Sequence, residues 1–182
     1  MAVVGETRDG PPRAARPASS GAARYESSTA WDGSRPDTLI VCCSDGRWSA
    51  AIQEFALRHL GTHGHADIVS VPGGIEPLTL VDLVPKDFNF LRRRLDALVT
   101  GHGTRRIVAI AHEDCSWYRR HKIGPVTLDL RARQVADLAR AAARLHDLFP
   151  TVAVETYYAS RSGGPPERIV FEAVGKPAEG PR

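Results

Sequence analysis

"LIVCCSDGRWSAA", residues 39–51, runs from an apolar stretch through two adjacent cysteines to an acid, an arginine and a helix start. The segment "TLIVCC" (38–43) is short, apolar and β-branched, which fits a buried strand. Ser49 is placed to cap the next element, where Ile52, Phe55, Ala56 and Leu60 recur at helical spacing and Gly61 ends the run. The same strand-then-helix alternation continues along the chain. "ADIVSV" (66–71) reads as a second strand closed by Pro72-Gly73-Gly74, and a helix over 86–99 carries Phe90, Leu91, Leu95 and Leu98 on one side. "RRIVAIA" (105–111) is a third strand, followed by a helix over 128–148 with Val135, Leu138, Ala142 and Leu145 as its stripe. "TVAVETYY" (151–158) and "RIVFEAV" (168–174) flank the turn chemistry of "SRSGGPPE" and pair antiparallel. The fold class is therefore α/β: a mostly parallel sheet of about four strands plus an antiparallel edge strand, with helices on both faces.

Composition narrows the function. The 182 residues are 42% hydrophobic and 25% charged, the balance of a soluble globular chain with a core of ordinary size. The net charge of +3 comes from scattered arginines without a dense basic block, and only 7% of residues are aromatic, which argues against nucleic acid as a partner. Residues 1–36, including "RDGPPRAARPASSGAAR", have no periodic apolar face and read as a disordered tail. Residues 37–175 form the domain, and 176–182 read as a flexible C-terminus. The tail lacks the apolar core of a signal peptide, and its Glu6, Asp9, Glu26 and Asp32 weaken a transit-peptide reading. No segment approaches the ~20 apolar residues of a membrane span. A cytoplasmic location follows as the expectation, and there an odd cysteine count favours metal binding or catalysis over disulfides.

Open parallel sheets bind ligands beyond the carboxyl ends of their strands. Three segments fall there: Cys43-Ser44-Asp45-Gly46-Arg47, Pro72-Gly73-Gly74 and His112-Glu113-Asp114-Cys115. One imidazole and two thiolates from neighbouring strand ends make a soft donor set that suits zinc, and three protein ligands leave a fourth position open for chemistry. Cys43, at the strand exit, is the expected ligand. Cys42 points to the opposite face and is expected to be a small buried hydrophobe. Gly73 and Gly74 are candidate substrate-lining positions, because glycine lets backbone approach a ligand. His63 and His65 in "THGHAD" are expected to be surface loop residues, and Trp48 core. "SWYRRHK" (116–122) reads as a solvated stretch that can also serve as a lid.

Cys43-Ser44-Asp45-Gly46-Arg47 resembles the C-x-D-x-R motif of β-class carbonic anhydrases, and His112-Glu113-Asp114-Cys115 resembles their H-x-x-C motif. The resemblance spans roughly residues 37–175. It implies one zinc ion per chain, held by Cys43, His112 and Cys115, with water or hydroxide as the fourth ligand. It also implies an Asp45–Arg47 pair beside the metal. Asp45 would orient the zinc-bound water toward a small electrophile, and Arg47 would keep Asp45 ionised and aimed. The implied activity is hydration of carbon dioxide, or hydrolysis of a related heterocumulene such as carbonyl sulfide or carbon disulfide, by zinc-bound hydroxide in a homo-oligomer. In some family members the aspartate itself closes onto zinc. This chain departs from the family at "SVPGGI", where an Arg-Asn-x-Ala-type segment is usual, and at Ser116, where glycine usually follows the second cysteine. The usual N-terminal helix is not recognisable either. A catalytically diverged zinc-binding regulatory or interaction protein of the same fold is the alternative. A covalent Cys43 nucleophile is disfavoured, since phosphatase-type loops put five residues between cysteine and arginine and here three separate Cys43 from Arg47. A deaminase site is excluded by the lack of P-C-x-x-C.

Overall fold

A computed structural model describes residues 26–120 and 129–175. The chain divides into two units, Met1–Gly33 and Ser34–Arg182. In the first, the described residues 26–33 form neither helix nor strand. Most of the predicted tail (1–25) and the predicted flexible C-terminus (176–182) lie outside the described residues.

The second unit runs β1 (Thr38–Cys43), α1 (Gly46–Arg58), β2 (Asp67–Val71), α2 (Glu76–Thr79), α3 (Pro85–His102), β3 (Arg106–His112), α4 (Ser116–Arg120), α5 (Leu130–Leu148), β4 (Ala153–Arg161), β5 (Ile169–Ala173). The strands form one sheet in the order β2-β1-β3-β4-β5. β1 pairs parallel with both β2 and β3, and β3 pairs parallel with β4. β5 closes the edge antiparallel to β4, with Ala159 opposite Phe171. This is the α/β arrangement expected from the alternation of strand and helix patterns.

All six residues of β1 are buried, as its continuous apolar run requires of a strand covered on both faces. Leu39, Val41, Ile107, Ala109 and Val154 face a core built with Leu91 and Leu95 of α3 and with Leu138, Ala141 and Leu145 of α5. Ile40, Cys42, Val108 and Ile110 face the other way, onto Trp48, Ile52 and Phe55 of α1. Successive strand side chains alternate between these two layers.

Two local expectations change, and two short helices are added. Asp45, not Ser49, caps α1: its carboxylate accepts the Arg47 N–H at 3.1 Å, which puts Ser49 inside the first turn. Phe90 is not part of the buried stripe of α3. It is 50% exposed beneath the Arg94 guanidinium, and Phe88 packs toward the core in its place. α2 and α4, of four and five residues, are too short to show periodicity and were not anticipated.

Candidate metal centre

Parallel pairing puts the carboxyl ends of β1, β2 and β3 at one edge, and the chemistry-bearing segments leave from there. Cys43 is the last residue of β1 and His112 the last of β3. Asp114 then takes a left-handed conformation (φ 60°), which turns the chain so that Cys115 comes back beside Cys43. The two Sγ atoms stand 3.8 Å apart. The candidate ligand atoms of Cys43, His112 and Cys115 all lie within 4.8 Å of one another. Cys42 faces the α1 layer instead, so the two neighbouring cysteines belong to different layers.

His112 is 2% exposed, and its orientation is fixed from several sides. Its Nδ1 lies 2.7 Å from the Glu113 carbonyl oxygen, which can only accept, so Nδ1 carries the proton. Its Nε2 is then a lone pair, buried and without a hydrogen-bond partner among the described residues. The ring stacks, tilted, on Trp48 at 4.8 Å. Gln134 of α5, also buried, donates to the His112 carbonyl at 3.0 Å and accepts from the Tyr158 hydroxyl at 3.4 Å. An imidazole with one nitrogen satisfied and the other bare, grouped with two sulfurs, could hold a metal ion.

The electrostatics of the two thiols diverge. The Cys115 thiol hydrogen-bonded to Cys43 pulls that group's pKa down against the opposing effect of burial, and the backbone N–H groups of Gly73 and Asp45 add to the shift. Cys115 is raised, first by that same contact and then by burial. Cys42 is pushed up to about 11, chiefly by burial.

Asp45 and Arg47 form the pair expected beside the cysteines. Arg47 Nη2 lies 2.5 Å from Asp45 Oδ2, and Nε donates to both carboxylate oxygens at 3.0 and 3.1 Å. The guanidinium holds the Asp45 carboxyl below the usual carboxylate range. Arg47 also reaches the Asp114 carboxylate at 3.1 Å and its carbonyl at 3.3 Å, tying the loop after β1 to the turn before Cys115.

Gly73 and Gly74 are buried, at φ 76° and 59°. A Cβ on Gly73 would overlap the Trp117 indole, and one on Gly74 would lie 3.0 Å from the Cys42 carbonyl carbon and the Cys43 nitrogen. Their side-chain directions are thus filled by the protein. His63 and Gly64 lie on the exposed turn after α1. The lid reading of 116–122 falls partly outside the described residues, since Ser116–Arg120 is helical and 121–128 are not described. Sequence reasoning missed Glu76, Trp117, Gln134 and Asp137, polar residues gathered behind the site. Helical spacing of Gln134 and Asp137 with Leu138 was the only signal that they face inward.

The doubly covered α/β sheet thus carries at its strand ends a Cys-His-Cys cluster that could hold a metal ion, beside an Asp–Arg pair. Residues 35–167, more than half of the chain, match the family described as "Putative carbonic anhydrase", and the chain belongs to that family. No curated protein matches it closely in sequence. Among solved structures, the carbonic anhydrase of Streptococcus mutans is similar with a TM-score of 0.51 and 20% identity, over 81% of this chain and 87% of that one. The Coccomyxa β-carbonic anhydrase, solved with acetazolamide, is similar at 0.50 and 14% identity, over 81% and 75%. At these identities the likeness establishes the shared β-carbonic anhydrase fold.

Proposed function

We propose that the chain is a zinc enzyme that hydrates carbon dioxide, or hydrolyses a related heterocumulene such as carbonyl sulfide or carbon disulfide. The observation that carries this reading is the buried, unpartnered Nε2 of His112 facing the Cys43 and Cys115 sulfurs. The donor set fits zinc by type, and the 3.8 Å between sulfurs is the span expected of two thiolates ~2.3 Å from a tetrahedral ion. Cys43, His112 and Cys115 would hold the ion, which when bound supplies a Lewis acid able to make water nucleophilic near neutral pH.

The chain's own residues supply the rest. Two thiolates offset the charge of the ion, so the site depends on nearby groups to direct a water. The Asp45 carboxylate, kept ionised by Arg47, can accept a hydrogen bond from the attacking water and fix its orientation. Arg47 in turn aims that carboxylate through its paired N–H groups. Gly73, packed against the Trp117 indole, shapes the site floor. The substrate is small and uncharged, and the active form is a homo-oligomer. Among the described residues no helix is long and apolar enough to cross a membrane.

Stopped-flow assays with carbon dioxide and carbonyl sulfide, on protein of measured zinc content, test this directly. Asp45→Asn keeps the shape and removes the charge, so zinc content should hold while turnover falls ~10–100-fold, the usual scale for groups that support a metal site. Zinc-loaded wild type that turns over no heterocumulene between about pH 6 and 9, around the pKa of ~7 of metal-bound water, would leave a zinc-binding protein without catalysis.

A further inference from the structure

Behind the cysteines lies a polar cluster in which a carboxylate is almost fully enclosed. Glu76, at the start of α2, is 3% exposed. It accepts a close hydrogen bond from the Trp117 indole N–H through Oε2 and one from Arg133 at 3.0 Å through Oε1. Arg133 lies 4.9 Å over the Tyr118 ring and 3.9 Å from the Asp137 carboxylate. Enclosing a carboxylate is unfavourable unless charge and hydrogen bonds compensate, and here a guanidinium and an indole N–H do so.

The position of this cluster matters more than its energy. Trp117 follows Cys115 by two residues, so its indole reports where the Cys115 loop sits. That indole lies on Gly73, in the space a Cβ would fill. Gly74 rests on the Cys42–Cys43 backbone. The loop after β2 is therefore a wedge between the end of β1 and Trp117, and Glu76 fastens it to Trp117. Its other oxygen fastens both to α5, whose Gln134 holds the carbonyl of His112. Trp117 thus ties Glu76 to the Cys115 loop, Arg133 and Gln134 of α5 tie it to His112, and Gly74, two residues before Glu76, ties it to the end of β1 at Cys43.

We propose that Glu76 is a positioning residue that, through Trp117 and Gly73, sets the spacing of Cys43 and Cys115 for metal binding. The proposal rests on the zinc reading above. An indole merely packed against glycine needs no carboxylate. A buried carboxylate aimed at its N–H fixes the ring's rotation and height, and with them the Cys115 loop.

The test compares full-length wild type, Glu76→Gln, Trp117→Phe and the double variant. Zinc affinity is measured by chelator competition, ligand geometry by the absorption spectrum of the cobalt(II)-substituted protein, and folding by near-UV circular dichroism. Trp117→Phe keeps an aromatic ring beside Gly73 and removes the indole N–H together with part of the ring, so it serves if Glu76→Gln does not fold. Each single variant should bind zinc ~10–100-fold more weakly and shift the cobalt bands. The double variant should be no worse than the weaker single one, because both break one link. Folded variants with wild-type affinity and unchanged cobalt bands would overturn the role of Glu76 while leaving the zinc reading intact. Wild type that binds neither zinc nor cobalt would overturn both.

Discussion

Burial pushes the Cys42 thiol up to about 11, while the Cys115 thiol beside Cys43 draws that group toward its thiolate. Two neighbours of one residue type therefore differ in chemistry because strand geometry sends them to different layers. With a pKa near 11, Cys42 is less than ~0.1% thiolate at pH 7.5, and it is the thiolate that reacts. In chelator-treated protein, iodoacetamide at pH 7.5 should label Cys43 well before Cys42, as read by peptide mass spectrometry. Preferential labelling of Cys42 would reverse the assignment. Elemental analysis offers a second check at the same scale. Zinc should stand near one per chain in wild type and in Cys42→Ala, and drop sharply in Cys43→Ser, His112→Ala and Cys115→Ser.

Elements decide how closely these residues can meet, and glycine is where that shows. Gly74 and Gly61 both have positive φ, 59° and 66°, yet a Cβ on Gly74 would press on the Cys42–Cys43 backbone while one on Gly61 meets nothing. Gly61→Ala should therefore lose only the ~1–2 kcal/mol of left-handed strain. Gly74→Ala should lose ~2–4 kcal/mol, since crowding of the β1 end is added to that strain. Urea denaturation of both variants measures the difference, and equal losses would mean the wedge against β1 is not tight. The same contrast shows what was legible at this scale. The runs "TLIVCC" and "RRIVAIA" announce buried strands by composition alone, and the long helices announce themselves by periodicity. The cap at Asp45 was misread because Ser49 and Asp45 are both good capping types, and only the backbone turn after Cys43 chooses between them. Burial of Glu76 left no trace in sequence, because its partners Trp117 and Arg133 come from distant elements.

Across the whole molecule, alternating strand and helix patterns were enough for a parallel sheet, whereas the order β2-β1-β3-β4-β5 depends on long-range pairing that no local pattern encodes. The site motifs were readable because Cys43 and His112 sit at strand ends, which parallel pairing brings to one edge. Less visible was the asymmetry of the covering: α3 and α5 pack one face, while α1 with Trp48, Ile52 and Phe55 fills the layer on the other. Two weak acids are held neutral in that α1 layer. Burial, then a hydrogen bond to Glu155, pushes the Tyr157 hydroxyl up to about 12, and Cys42 stands at about 11. In the unfolded chain these groups lose their protons near ~10 and ~8.5. Between those values and the folded ones, the unfolded state binds fewer protons than the folded state, so stability must fall as pH rises. The contribution is complete below about pH 8.5 and declines from there toward pH 12, first through Cys42 and then through Tyr157. Tyr157→Phe keeps the ring in edge contact with Phe55 and removes the titrating proton. Urea midpoints measured from pH 7 to 12 should fall in wild type, fall less above pH 10 in Tyr157→Phe, and fall less between pH 8.5 and 10 in Cys42→Ala. Parallel curves for all three proteins would show that the α1 layer admits water freely, and that its two acids titrate as they do unfolded.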